Sequence, residues 1–111
     1  MTIDDCFKTA RELFVKNNAQ LMNRIQHEAI MHAQNVGLSE EQFCELETNK
    51  HFAQYLTKYS DDPTVSVIRL MAPDNTTRKE LLLGYYRTVS QHLGISVESY
   101  FAMNSISISD L

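Results

Sequence analysis

Tryptophan is absent from this chain of 111 residues, and proline, glycine and cysteine are scarce, at two, three and two copies. So few turn-forming residues argue against a β fold, which needs a Gly- or Pro-bearing turn between every pair of short strands. The two cysteines, Cys6 and Cys44, stand far apart with no Cys-x-x-Cys spacing, which excludes a disulfide framework and a zinc ribbon. Unpaired thiols suit a reducing compartment. Long apolar runs are also missing, so no segment reaches the length of a membrane span. The first residues include Asp4 and Asp5 and show neither the basic start nor the apolar run of a secretion signal. A cytoplasmic protein that does not enter the membrane is expected. An excess of positive charge is lacking too: the net charge is −4, not the basic footprint of a nucleic-acid binder.

What is present reads as one helical domain over residues 1–111, long enough for a single core. Two similar strings organise it. Ala33-Gln34-Asn35-Val36-Gly37-Leu38-Ser39-Glu40-Glu41-Gln42-Phe43 has a shorter echo in Leu93-Gly94-Ile95-Ser96-Val97-Glu98-Ser99-Tyr100. Each is the signature of a joint between helices. Glycine takes the left-handed conformation that ends one helix, and serine then accepts from the free amides of the next. Gln42, three residues after Ser39, completes a capping box; Ser99 in the echo does not.

Around these joints the apolar spacing predicts a compact all-α domain of five or six helices. Thr2 and Asp5 form a capping box ahead of a helix over 3–16. Asn17 and Asn18 interrupt it, Asn being able both to end one helix and to cap the next, and a second helix follows over 19–35. A third spans 40–59. Asp62-Pro63 then restarts the chain, with Asp62 as cap and Pro63 at the first helical position. The β-branched stretch from Val65 to Met71 alternates partly like a strand, but a lone strand leaves its backbone unsatisfied, so a short helix is expected. Helices over 76–92 and 97–104 complete the set. Gly84 inside the former costs about 1 kcal/mol against alanine, which suggests a close helix contact there. The alternating tail Ser105-Ile106-Ser107-Ile108-Ser109 has no obvious partner and is expected to pack or to fray.

No constellation carries catalysis. His27-Glu28-Ala29-Ile30-Met31-His32 approaches a zinc-protease motif but is one residue too long. Histidines five apart diverge by about 140° on a helix, where the motif needs them four apart on one face. Cys6 and Cys44 fall on apolar helix faces, as core cysteines do. The carboxylates of Glu40–Glu47 lie on an exposed helix, without the burial that separates acid from base. A phosphate-cradling glycine loop is absent. We expect no enzyme, no metal and no cofactor.

The charge itself is uneven. Residues 1–38 and 63–111 are each balanced, so the whole acidic excess lies in 39–62, from Glu40, Glu41, Glu45, Glu47, Asp61 and Asp62 against Lys50 and Lys58. Such a segment is either a solvated face or a docking surface for a basic partner. Tyr55 and Tyr59 lie within it, and tyrosine anchors interfaces well because its ring is apolar and its hydroxyl stays wet.

Three resemblances bear on function. Ala33-x3-Gly37-Leu38-Ser39-x3-Phe43-x2-Leu46-Glu47 resembles the helix-turn-helix of repressor-type regulators. That likeness implies DNA binding by the second helix, yet this sequence places Glu40, Glu41, Gln42 and Glu45 where that family reads bases and phosphates. Acidic side chains there oppose a phosphate-lined groove. The string Leu93-Gly94-Ile95-Ser96-x-Glu98-x-Tyr100-x-x-Met103-Asn104, with the capped first helix and the Asn break, is similar to a family of small uncharacterised bacterial helical proteins. In size, acidity and lack of chemistry the chain is similar in type to bacterial immunity proteins, which cover the basic active site of a toxin. The leading expectation is a non-catalytic protein-binding module, an immunity-type inhibitor of a basic, nuclease-like toxin. Its partner-binding residues would be Glu40, Glu41, Glu45, Glu47, Tyr55, Tyr59, Asp61 and Asp62. The alternative is a helix-turn-helix transcriptional regulator.

Overall fold

The computed structural model describes residues 1–111 and contains six α-helices and no strand. The all-α class and the helix count are as expected from the spacing. Helix α1 spans Ile3–Asn17, α2 Ala19–His32, α3 Glu40–Leu56, α4 Pro63–Met71, α5 Asn75–Leu93 and α6 Val97–Met103. Short 3-10 turns lie at Gln34–Val36 and Ile108–Asp110. None of the helices is long and apolar enough to cross a membrane.

The starts follow from capping. The Asp5 amide donates to Thr2 Oγ1 at 3.1 Å while the Thr2 amide donates to Asp5 Oδ2 at 2.9 Å. Ser39 and Gln42 repeat this at α3, at 3.0 and 2.9 Å. Each pair satisfies amides that a helix start leaves free. The two glycine joints share one backbone geometry. Gly37 and Gly94 sit at φ 75° and 70°, and the next amides, of Leu38 and Ile95, donate back to the Ala33 and Ser90 carbonyls at 3.0 and 3.1 Å. That is the wrap-around closure of a helix end which only glycine enters without strain.

Several boundaries differ from expectation. The second helix stops at His32 rather than 35, because the chain tightens into the 3-10 turn before Gly37. Asn18 does not cap α2 with its side chain. Its Nδ2 donates instead to the Phe14 carbonyl at 2.7 Å and closes α1, so a single residue separates the two helices. The third helix ends at Leu56, not 59. The Leu56 carbonyl accepts the Tyr59 amide at 3.0 Å in a tightened last turn, and the buried Ser66 hydroxyl lies 2.8 Å from the same oxygen and 3.2 Å from that of Ser60. Gly84 does not mark a close helix contact: a Cβ built there meets nothing within 4 Å.

The ambiguous stretch is helix α4, and its surroundings explain the β-branched content. Val65, Ser66, Val67 and Ile68 are consecutive and all buried, so the middle turn of this short helix is covered all round, with Pro63 and Arg69 exposed on either side of it. A helix satisfies its own backbone there, as an isolated strand could not. It also joins the two halves of the core. Val67 packs with Cys6, Ala10, Phe14, Phe52 and Leu56; Val65 and Ile68 pack with Leu82, Tyr86, Phe101 and Leu111. The tail therefore packs: Leu111 is a core residue.

The packing is drawn out along one axis. The molecule measures 51 × 29 × 21 Å with a radius of gyration of 17.4 Å, where about 13 Å is usual for a chain of this length. The elongation comes from α2 and α3. Their shared seam holds Ile25, Ala29, Ala33 and Thr48, all buried, and Thr48 Oγ1 meets Met22 Sδ at 3.8 Å. Met22 and Thr48 are equidistant in sequence from Asn35, so the helices run antiparallel as an arm that reaches beyond α1 and α4.

Candidate functional site

The acidic helix and its tyrosines can now be located. Glu40 and Glu41 occupy the first turn of α3, at the far end of the arm, where carboxylates complement the positive helix end. Both are exposed. Glu45 is exposed as well but leans towards α1. The Arg11 guanidinium meets it at 3.1 Å through Nη2 and donates through Nε to Asn49 Oδ1 at 2.9 Å. Glu47, half-buried, shares its helix edge with Glu40, while Glu41 and Glu45 share another. The acids of α3 thus form two edges.

Asp61 and Asp62 lie past the other end of α3, about 24 Å along its axis from Glu40. Asp61 is exposed. Asp62 is engaged inside the fold: one oxygen accepts the Thr64 amide at 2.9 Å as cap of α4, and the other accepts the Tyr85 hydroxyl at 2.5 Å. Burial and the Asp62 carboxylate together push the Tyr85 phenol up to about 12. Tyr85 therefore stays a neutral donor, and each oxygen of Asp62 already holds a structural bond within the fold.

Tyr55 and Tyr59 stand together. Their rings meet edge to face at 5.6 Å and their hydroxyls lie 3.3 Å apart, which raises the Tyr55 pKa, with burial adding to it. Tyr55 is half-buried against Phe14 at 5.3 Å and carries the Lys58 ammonium 5.8 Å from its ring centre. Tyr59 is the more exposed, at 44%. So the eight expected binding residues fall into three groups: Glu40, Glu41, Glu45 and Glu47 along the arm, Tyr55 with Tyr59 at its base, and Asp61 with Asp62 beyond.

Sequence reasoning missed what α1 contributes. Beside Tyr55 lies a groove of about 430 Å³ formed with Leu13, Phe14, Asn17, Leu70 and Met71. On another flank of α1 a second groove of about 490 Å³ is lined by the apolar Phe7, Phe52, Leu56 and Pro63 together with Asp4, Lys8, Arg11 and Asn49. Contacts between residues 38 positions apart, such as Arg11 with Asn49, leave no local signal. Neither groove is lined by a histidine or a cysteine. Cys6 is fully buried, and burial pushes its thiol up, away from the nucleophilic thiolate. His27 and His32 are exposed, and no three His, Cys, Asp or Glu side chains gather closely enough to hold a metal ion.

The Gly37 joint folds as an antiparallel pair, with Met22 on α2 against Thr48 on α3. A DNA-reading helix-turn-helix sets its helices at about 90–120°.

A six-helix domain with a projecting, acid-edged arm is the class of molecule these features define. The chain belongs to the family of unknown function DUF6388, whose model matches residues 1–106. No curated protein and no solved structure matches it.

Proposed function

We propose that the protein is a non-catalytic binding module whose arm engages a basic protein partner, in the manner of an immunity-type inhibitor that covers the cationic site of a toxin. One observation carries the reading: Arg11–Glu45 is the single ion pair in the molecule. Glu40, Glu41 and Glu47 on α3, and Asp61 beyond it, have no cation at ion-pairing distance. A folded chain that leaves its acidic excess unneutralised along one projecting helix holds a field suited to steering a cationic surface. The arm adds apolar contact area, since Leu46, Ile30, Met31 and Val36 are all more than half exposed. Such side chains in company with charge are what an interface core and its rim require.

The test is capture of partners from cells by the tagged protein, beside a Glu40→Lys/Glu41→Lys variant, each with and without nuclease. The reading expects a stoichiometric basic protein that survives nuclease, is held by the parent chain and is lost by the variant. Equal capture by both would remove the acidic arm from the proposal. Recovery of nucleic acid alone, abolished by nuclease, would assign the Gly37 joint to DNA instead.

A further inference from the structure

A shallow groove of about 310 Å³ opens beside the Gly37 joint, at the start of α3, lined by Leu38, Gln42, Glu45 and Leu46. All but one of these walls are pinned by bonds elsewhere. The Leu38 amide donates to the Ala33 carbonyl at 3.0 Å across the glycine turn, which fixes where that leucine leaves it. Gln42 holds its side-chain oxygen on the Ser39 amide at 2.9 Å. Glu45 is moored from α1 by Arg11 at 3.1 Å. Leu46 closes the groove and stands 56% in solvent. Walls that are already ordered lose little freedom when something enters between them. The volume lies at the bottom of the ~300–1,000 Å³ range of ligand pockets, which suits one large side chain rather than a whole small molecule.

The charges around the groove select the neighbours of that side chain. Glu45 stays 65% exposed beside Arg11, and its Oε2 carries no bond. Glu41 precedes it by one helical turn on the same edge, is exposed, and has no cation at ion-pairing distance. Glu40 adds a further carboxylate in the first turn. Lys50 lies one turn beyond Leu46 towards the body, so cations are repelled from that end and drawn to the end near Gly37. An apolar seat with an anionic rim on one side is complementary to a hydrophobic residue adjoined by lysine or arginine.

We infer, on the reading that the arm engages a basic protein, that this groove seats one aromatic or aliphatic side chain of that partner, an adjoining lysine or arginine pairing with Glu41 and Glu45. The two kinds of contact have separate tasks. The seat between Leu38 and Leu46 supplies a desolvated anchor, which holds the complex together. The carboxylates speed the approach and fix the orientation in which the anchor enters. Leu46 is thereby spared from the core for binding, and its truncation removes the anchor while leaving the fold in place.

The test titrates the full chain, its leucine methyl groups labelled for NMR, with three amidated peptides: Lys-Arg-Trp-Arg-Lys, Lys-Arg-Gly-Arg-Lys and Glu-Glu-Trp-Glu-Glu. The basic tryptophan peptide should shift the Leu38 and Leu46 methyl signals saturably and bind about tenfold more tightly than its glycine counterpart. The acidic peptide should not bind. Leu46→Ser should bring the two basic peptides to equal affinity, whereas Glu41→Gln/Glu45→Gln should weaken both, as should added salt. All three positions are exposed on α3, so neither variant removes a buried contact. Equal binding of the two basic peptides by the parent chain, or a tryptophan preference that survives Leu46→Ser, would overturn the groove and leave the arm as a surface for basic partners. Basic peptides that do not bind the arm at all would overturn both.

Discussion

The arm and the body of this molecule use similar side chains to opposite ends. In the body, formed by α1 and α4–α6, branched and aromatic residues face inward: Val67, Ile68 and Leu82 are inaccessible, and Tyr86 and Phe101 meet edge to face at 5.5 Å. In the arm, Ile25, Ala29, Ala33 and Thr48 are buried along the seam of α2 and α3 while Ile30, Met31 and Leu46 face solvent. A seam with one large aliphatic among small and polar residues buries less apolar area than the branched and aromatic core of the body, so the arm gains less from packing per residue. The difference teaches where each region's apolar content is used. The body's holds the fold; the arm's lies on the outside of the element with the least cover.

The widest gap should appear on truncating equivalent aliphatics. Ile68→Ala should cost about 2–5 kcal/mol, whereas Leu46→Ala should stay within about 0.5 kcal/mol, as read from denaturant midpoints. Similar losses at the two sites would break the comparison. Next comes the polar junction of the two regions. Ser66→Ala removes the buried hydroxyl that bridges the end of α3 to α4, the Leu56 carbonyl keeping the Tyr59 amide, and should cost about 0.5–1.5 kcal/mol. A neutral result there would mean water takes its place and the end of α3 is not tied to α4. Glycines sharpen the contrast further. Gly37→Ala in the arm, at φ 75°, should destabilise by about 1–2 kcal/mol. Gly84→Ala in the body, with open space around it, should stabilise by up to about 1 kcal/mol, measured as a rise in Tm. A loss at Gly84 would show that a contact needs that gap.

The last effect is confined to alkaline pH and vanishes at neutrality. Tyr85, buried and bonded to Asp62, titrates at about 12 in the fold against about 10 when unfolded. A raised pKa means a contribution that is whole below pH 10 and fades as pH climbs through 12. Tyr85→Phe should therefore flatten the decline of stability between those values, and should delete the last step of the phenolate absorbance titration. An unchanged last step would place that bond elsewhere.

Much of the fold was legible because its signals are local. Thr2 with Asp5, Ser39 with Gln42, Asp62 before Pro63, and the two glycine joints each act within a few residues, and all appear where the spacing put them. What was illegible depends on contacts across the chain. The end of α3 is bridged by Ser66, ten residues on, and the side chain of Asn18 turned to Phe14 rather than to α2. The acidic stretch reads as one cluster in sequence, but the length of α3 spreads it over two ends, Arg11 takes Glu45, and Tyr85 takes Asp62. Nothing near residue 111 announced that a leucine there completes the core. The carboxylates of α3 were found by charge counting alone, while the grooves flanking α1 needed the fold.

Asn18 makes the bend between α1 and α2 as short as a chain allows. One residue separates the two helices, so the direction in which α2 departs is set by a single pair of torsions. The Asn18 side chain closes α1 on the Phe14 carbonyl, and the Phe14 ring carries Tyr55 of α3 at 5.3 Å. The corner that launches α2 and the base of the helix it packs on are thus moored to one residue.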